Sequence, residues 1–147
     1  MNTVLVDDHI LLRVLLGDEP STLRSGQTEL ATTGLWYHRL CRALSNDTVV
    51  GALSRQLGGI DSVVAGEVAR AVVEPPDHIS LISLRTLAWP MGQLIADGTR
   101  LNLLSLEALA AAQHLDAEIC LAATDVNLPL QAAAPEASVA IRILTEE

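Results

Sequence analysis

TVLVDDHILLRVLL, residues 3–16, runs from a β-branched and apolar segment, Thr3 to Val6, through a pair of acids into Ile10, Leu11, Val14 and Leu15 at helical spacing. It reads as a strand that stops at a carboxylate and turns into a helix, with Asp8 as the expected N-cap. The same alternation continues downstream. Glu29 to Thr32 reads as a second strand, and Thr33 caps a helix carrying Leu35, Trp36, Arg39, Leu40 and Ala43. Helical periodicity returns around Val49 to Leu57 and Ser62 to Val73, and Pro75-Pro76 ends the second of these. Ile79 to Ile82 is an apolar run of ambiguous type. Ser83 then opens a helical stretch that contains Pro90, where a kink is expected, and closes at Gly98. SLEALAAAQHL, residues 105–115, is the strongest helix former in the chain, because Ala, Leu, Glu and Gln all have high intrinsic propensity. Glu118 to Ala122 reads as a buried strand, Leu130 to Ala134 as a short helix, and Val139 to Leu144 as the last strand.

Strands separated by helices imply a parallel sheet, since a crossover between parallel strands needs a dozen or more residues. The expected fold is therefore α/β: a three-layer α/β/α sandwich with a central, mainly parallel sheet, filling residues 1–147 as one domain. The 147-residue chain has the length of an ordinary domain, and with 50% apolar residues but no Phe its core must rest on Leu, Val, Ile and Ala. No uncharged run reaches the roughly 18 apolar residues of a membrane helix, and MNTVLVDDH lacks the basic flank of a signal peptide. A cytoplasmic protein that does not engage a membrane is expected. In that compartment the Asn46-Asp47-Thr48 acceptor carries no meaning, and Cys41 and Cys120 read as small core residues.

All nine basic residues are Arg, against 18 acids, for a net charge of −9. A broad basic surface for nucleic acid is thus excluded; a polynucleotide would need a divalent metal, a local Arg cluster or a basic partner to offset the repulsion. The absence of Lys removes Schiff-base chemistry and a Walker phosphate loop.

In open parallel sheets, ligands bind beyond the carboxyl ends of the strands, so acids placed there matter most. Asp7 and Asp8 follow the first strand, with Asp8 the better candidate for the cap, and Asp125 follows EICLAAT, residues 118–124. Carboxylates converging at such ends hold Mg²⁺ or Mn²⁺, hard cations that prefer oxygen ligands, and suit metal-assisted phosphodiester hydrolysis. Glu107 is a third candidate, although a carboxylate in the first turn of a helix also favours the dipole, and Asp125 also suits a cap. His9, His38, His78 and His114 are dispersed without i, i+4 pairs, which gives a histidine metal site or a Ser-His-Asp triad little support. In Trp36-Tyr37-His38-Arg39, Trp36 reads as core and Arg39 as a surface residue. Alternatively the aromatic pair could stack on a base, and Arg39 with Arg42 could clamp a phosphate.

Two family resemblances arise from these residues. VLVDDHILLRVLLG, residues 4–17, resembles the start of a response-regulator receiver domain. That family needs a Lys after its fifth strand, and the tempting acceptor position in HISLISL holds Ser83, so the resemblance implies a degenerate receiver. The same opening is also similar to the PIN domain, the nuclease fold of VapC-type toxins. LNLLSLEALAAAQHLDAEICLAATDVNLPLQAAA, residues 101–134, resembles the closing unit of that family, and TTGLWYHRLCRAL, residues 32–44, stands in its second segment. The PIN resemblance implies a metal-dependent ribonuclease, the toxin of a toxin–antitoxin pair, with attenuated activity. Of the family's four acids, the first falls on Asp7. The second falls near Tyr37 to Arg39, where no acid stands. The third falls on Ser105 with Glu107 two residues on, and the fourth on Asp125 if the turn is lengthened and on Ala123 if it is not.

As implied by that resemblance, Asp7 and Asp125 would be catalytic, Asp7, Glu107 and Asp125 would hold Mg²⁺ or Mn²⁺, and the substrate would be RNA. The implied partners are an antitoxin with a basic segment and a second copy in a homodimer. The alternative is a PIN-like module that has lost catalysis and binds only protein. Strand order separates the two families: 2-1-3-4-5 in a receiver, against a PIN sheet in which the first strand lies between the Glu29 and Glu118 strands.

Overall fold

A computed structural model describes residues 2–45 and 62–145. Five strands, β1 (Thr3–Val6), β2 (Glu29–Thr33), β3 (Ile79–Ile82), β4 (Glu118–Ala122) and β5 (Ile141–Leu144), form one sheet in the order β3-β2-β1-β4-β5. Every neighbouring pair is parallel. The helices are α1 (Asp8–Leu15), α2 (Gly34–Ser45), α3 (Ser62–Val73), α4 (Leu84–Ala96), α5 (Leu103–Leu115) and α6 (Leu128–Ala133), with short 3₁₀ turns at Ala123–Asp125 and Pro135–Ala137. The architecture is the expected three-layer α/β/α sandwich.

Alternation along the strands sends side chains to two cores. Leu5, Ala31, Ile119 and Leu121 join Leu87, Met91 and Leu94 of α4, the buried side of α5, and Leu130 of α6. Val4, Val6, Leu30 and Cys120 face the other way, toward Ile10, Leu11 and Leu12 of α1, Leu40 of α2, and Val68 and Val72 of α3. Helix α5 is buried at eight successive positions, Ser105 to Ala112. A helix apolar on nearly every side belongs inside a core, which is why its Ala content matters: small side chains let the sheet and two helices close on it.

The ambiguous run Ile79–Ile82 is an edge strand paired with β2. Ser83 caps α4 through the Arg85 amide, and the helix runs through Pro90 to Ala96, with Gly98 at a φ of 97° just beyond. Strand β5 starts at Ile141, two residues later than expected, and α6 starts at Leu128, two residues earlier, because Asn127 caps it through the Leu130 amide. The expected helix at Val49 to Leu57 lies outside the described residues. No described helix is long and apolar enough to cross a membrane.

The chain steps from β1 outward through β2 to β3, then returns to the other side of β1 for β4 and β5. This reversal places a crevice between the carboxyl ends of β1 and β4, the position where open parallel sheets bind ligands. The order is not the 2-1-3-4-5 of a receiver. Since the fold closes on α5, Leu109→Ala, which empties a fully buried site, is expected to cost roughly 2–5 kcal/mol in chemical denaturation.

Candidate functional site

Asp7 emerges from β1 at the crevice, and its carboxylate is engaged on both oxygens. Oδ1 accepts from the Ile10 amide at 2.9 Å and Oδ2 from the Ala122 amide at 2.9 Å. Asp7 is thus the N-cap of α1, in place of the expected Asp8. The displacement by one residue has a physical cause: Asp7 is extended and aims its side chain along the new helix, whereas Asp8 already lies within it. Asp7 is almost wholly buried, and this desolvation, outweighing the two amide hydrogen bonds that oppose it, raises its carboxyl pKa from 3.8 to about 6.

Asp8, the first residue of α1, is fully buried. The guanidinium of Arg39, on α2, grips it in a fork, Nε to Oδ2 at 2.5 Å and NH2 to Oδ1 at 2.6 Å. The same NH2 also donates to Oδ2 of Asp125, in the 3₁₀ turn after β4. His9 Nε2 lies 3.7 Å from that Asp125 oxygen. Ligand atoms of Asp8, His9 and Asp125 fall within 4.8 Å of one another, so this group can hold a metal ion. Neither Asp7 nor Glu107 belongs to it. The hydrogen bonding of the guanidinium to Asp8, aided by both carboxylate charges, pushes the Arg39 pKa still further up, so the guanidinium is a permanent cation across the site.

Glu107 is buried on α5, and its Oε1 accepts from the Leu35 amide at 2.8 Å. Helix α2 has no acid in its first turn, and Glu107 supplies one from a different helix. Thr33 Oγ1 completes the cap by accepting from the Trp36 amide at 3.2 Å. Ser105, where the PIN resemblance would put its third acid, is also buried. Its amide donates to the Asn102 side chain at 2.9 Å, and its hydroxyl accepts from Asn127 Nδ2 at 2.6 Å.

Of the three residues expected to bind metal, only Asp125 lies in the group that can hold one. Asp7 stands beside it, in the residue preceding Asp8, and Glu107 is occupied elsewhere. Sequence reasoning assigned Asp8 to the helix cap, passed over His9 and took Arg39 for a surface residue; the Arg39 side chain is 28% exposed and ion-paired twice. The adjacency of Asp8 and His9 to Asp7 was the one available signal. Arg39 had none, since its partners lie 31 and 86 residues away. The Arg42 side of the expected clamp is exposed. Cys41 and Cys120 are both free thiols.

A cleft of about 440 Å³ opens beside the cluster, with Arg39, Asp125, Asn102 and Asn127 as polar lining and Leu104 and Leu128 as apolar walls. A larger one, about 640 Å³, lies at the amino ends of the strands, around Thr3, Glu118 and Arg142. There Arg142 is spent on Glu118 and on the carbonyls of Thr22 and Leu23, and Arg24 on Glu19. The larger cleft is therefore at the end of the sheet away from the carboxylate cluster.

No protein-family model matches the chain, and comparison with curated proteins finds no relative.

Between pH 4 and 6 folded Asp7 holds a proton that the unfolded chain has released, so its contribution to stability falls as pH rises through this window. Relative to Asp7→Asn, the wild-type protein is expected to lose on the order of 2–3 kcal/mol from pH 4 to pH 7, measured by denaturant titration at each pH. For Glu107, Glu107→Leu leaves the Leu35 amide unpaired and is expected to destabilise by about 1–3 kcal/mol, whereas Glu107→Gln, which keeps the acceptor, stays near wild type in thermal unfolding.

Proposed function

We propose that this chain is a PIN-like protein of the VapC type whose rim of Asp8, His9 and Asp125 binds Mg²⁺ or Mn²⁺ and supports a slow, cation-dependent cleavage of RNA. The observation that carries the reading is the convergence of these three donors at the carboxyl ends of β1 and β4, beside an open cleft. The position of β1 between β2 and β4 supports the PIN reading, because that is the neighbour set the resemblance implies.

Two carboxylates suit Mg²⁺ or Mn²⁺, and the imidazole adds a nitrogen donor that tilts the set toward Mn²⁺ and away from Mg²⁺. Bound there, the cation would supply charge neutralisation and Lewis acidity toward a phosphodiester. The chain's own residues do the rest. Asp7 holds α1 against β4, so Asp8 and His9 face Asp125. The Asn102 and Asn127 side chains border the cleft, and Leu104 and Leu128 offer apolar surface to a base.

Attenuation follows from charge. With Arg39 lodged across Asp8 and Asp125, the field available to stabilise negative charge on a scissile phosphate is smaller than that of an unpaired carboxylate cluster. The same contact favours a second reading, a PIN-like module without catalysis. For either reading the proposed partner is a protein with a basic segment, such as an antitoxin, matched to a surface of net charge −9; self-association as a homodimer belongs to the same proposal.

Incubation of structured RNA with the purified protein is expected to show slow cleavage that requires Mn²⁺ or Mg²⁺ and falls about 100-fold in Asp125→Asn. Cleavage equal in the two proteins would remove the enzyme reading and leave the protein-binding module.

A further inference from the structure

We propose that Arg39 is a tethered counter-ion that couples cation binding to phosphodiester binding at this rim; the inference rests on the cation site of the preceding reading. Arg39 already places a positive charge where a bound ion would lie, with Nε and NH2 on the two oxygens of Asp8 and NH2 also on Asp125 Oδ2. That Asp125 oxygen is the one His9 approaches. An ion drawing on Asp8 and Asp125 therefore competes with the guanidinium for the same atoms.

Asp8 is fully buried, and Arg39 is the cation paired with it among the described residues. Neither can be left alone cheaply, because an unpaired buried charge loses its hydration without compensation. The cation that displaces Arg39 takes over the neutralisation of Asp8. The guanidinium, always charged and rich in donors, is then left on the wall of the cleft it already lines. A phosphodiester oxygen in the cleft gives it a new partner of matched geometry.

Each ligand thus removes the obstacle to the other. Without a phosphate, the cation must strand Arg39 and binds weakly. Without the cation, a phosphate meets an arginine already committed to two carboxylates. Coupling of this kind is reciprocal, so the factor by which phosphate strengthens cation binding equals the factor by which the cation strengthens phosphate binding.

The test is calorimetric titration of Mn²⁺ into the 147-residue chain, alone and with a saturating 2′-O-methyl oligoribonucleotide as a slowly cleaved phosphodiester. In the wild-type protein the oligonucleotide is expected to tighten Mn²⁺ binding about tenfold, with the same factor in the reverse titration. In Arg39→Gln, Mn²⁺ alone is expected to bind about tenfold tighter than to wild type, and the effect of the oligonucleotide to shrink below about twofold. Arg39→Lys keeps the charge but loses the fork, is expected to lie between the two, and serves if Arg39→Gln does not fold. Mn²⁺ binding that is unchanged by both substitutions, or coupling that survives them in full, overturns the role of Arg39 and leaves the cation site standing. Absence of saturable Mn²⁺ heat in every variant overturns the cation site itself, and this inference with it.

Discussion

The carboxylate of Asp7 accepts two backbone amides from different parts of the fold, one from the first turn of α1 and one from the end of β4. It does so where the strand order reverses, between the neighbouring strands β1 and β4 that no direct crossover joins. An acid that joins a helix start to the neighbouring strand end fixes the angle at which α1 leaves the sheet. Asp8 and His9 are carried on that first turn, and Asp125 follows Ala122 by three residues, so the geometry of the cluster depends on this contact. Burial makes the arrangement costly for an ionised side chain, as the raised pKa of Asp7 records.

Charge at the rim is divided between structure and chemistry. Asp7 and Glu107 are acids spent on helix amides, each capping a helix whose orientation the cluster needs: α1 for Asp8 and His9, α2 for Arg39. Asp8 and Asp125 are acids spent on a guanidinium. A buried ion pair is seldom a net source of stability relative to an apolar pair of similar volume, because desolvation of both ions offsets their attraction. What such a pair supplies is position. The fork from Arg39 orients the Asp8 carboxylate and ties α1, α2 and the turn after β4 to one another. The four acids are therefore all engaged: Asp7 and Glu107 by backbone amides, Asp8 and Asp125 by the one guanidinium they share.

This division explains why the site was only partly legible in the residues. Asp125 was recognisable because it stands in the turn just after a strand of unmistakable apolar character, and the loops beyond strand ends in a parallel sheet converge. Asp7 was recognisable as important for the same reason, but its role as cap or ligand turned on a single torsional choice, since Asp7 and Asp8 have the same chemistry and stand one residue apart. The amide that Glu107 serves was not legible, because it belongs to another helix 72 residues earlier. His9 was discounted for lacking a second histidine at helical spacing, whereas its neighbours in space are carboxylates.

Periodicity, propensity and the placement of Gly, Pro and capping residues are local properties, and from them the amino-acid sequence by itself determined the alternation of strands and helices, the parallel sheet and the presence of the Ala-rich helix α5. Strand order, and with it the identity of the residues that meet, was decided only by the tertiary structure. Whether an acid faces an amide, a guanidinium or open solvent depends on contacts between segments separated by dozens of residues, and no local pattern records those. Arg39 is the clearest instance: a residue of an ordinary amphipathic helix, it becomes the central cation of the site because the strand order reverses beside β1 and brings Asp8 and Asp125 to its side.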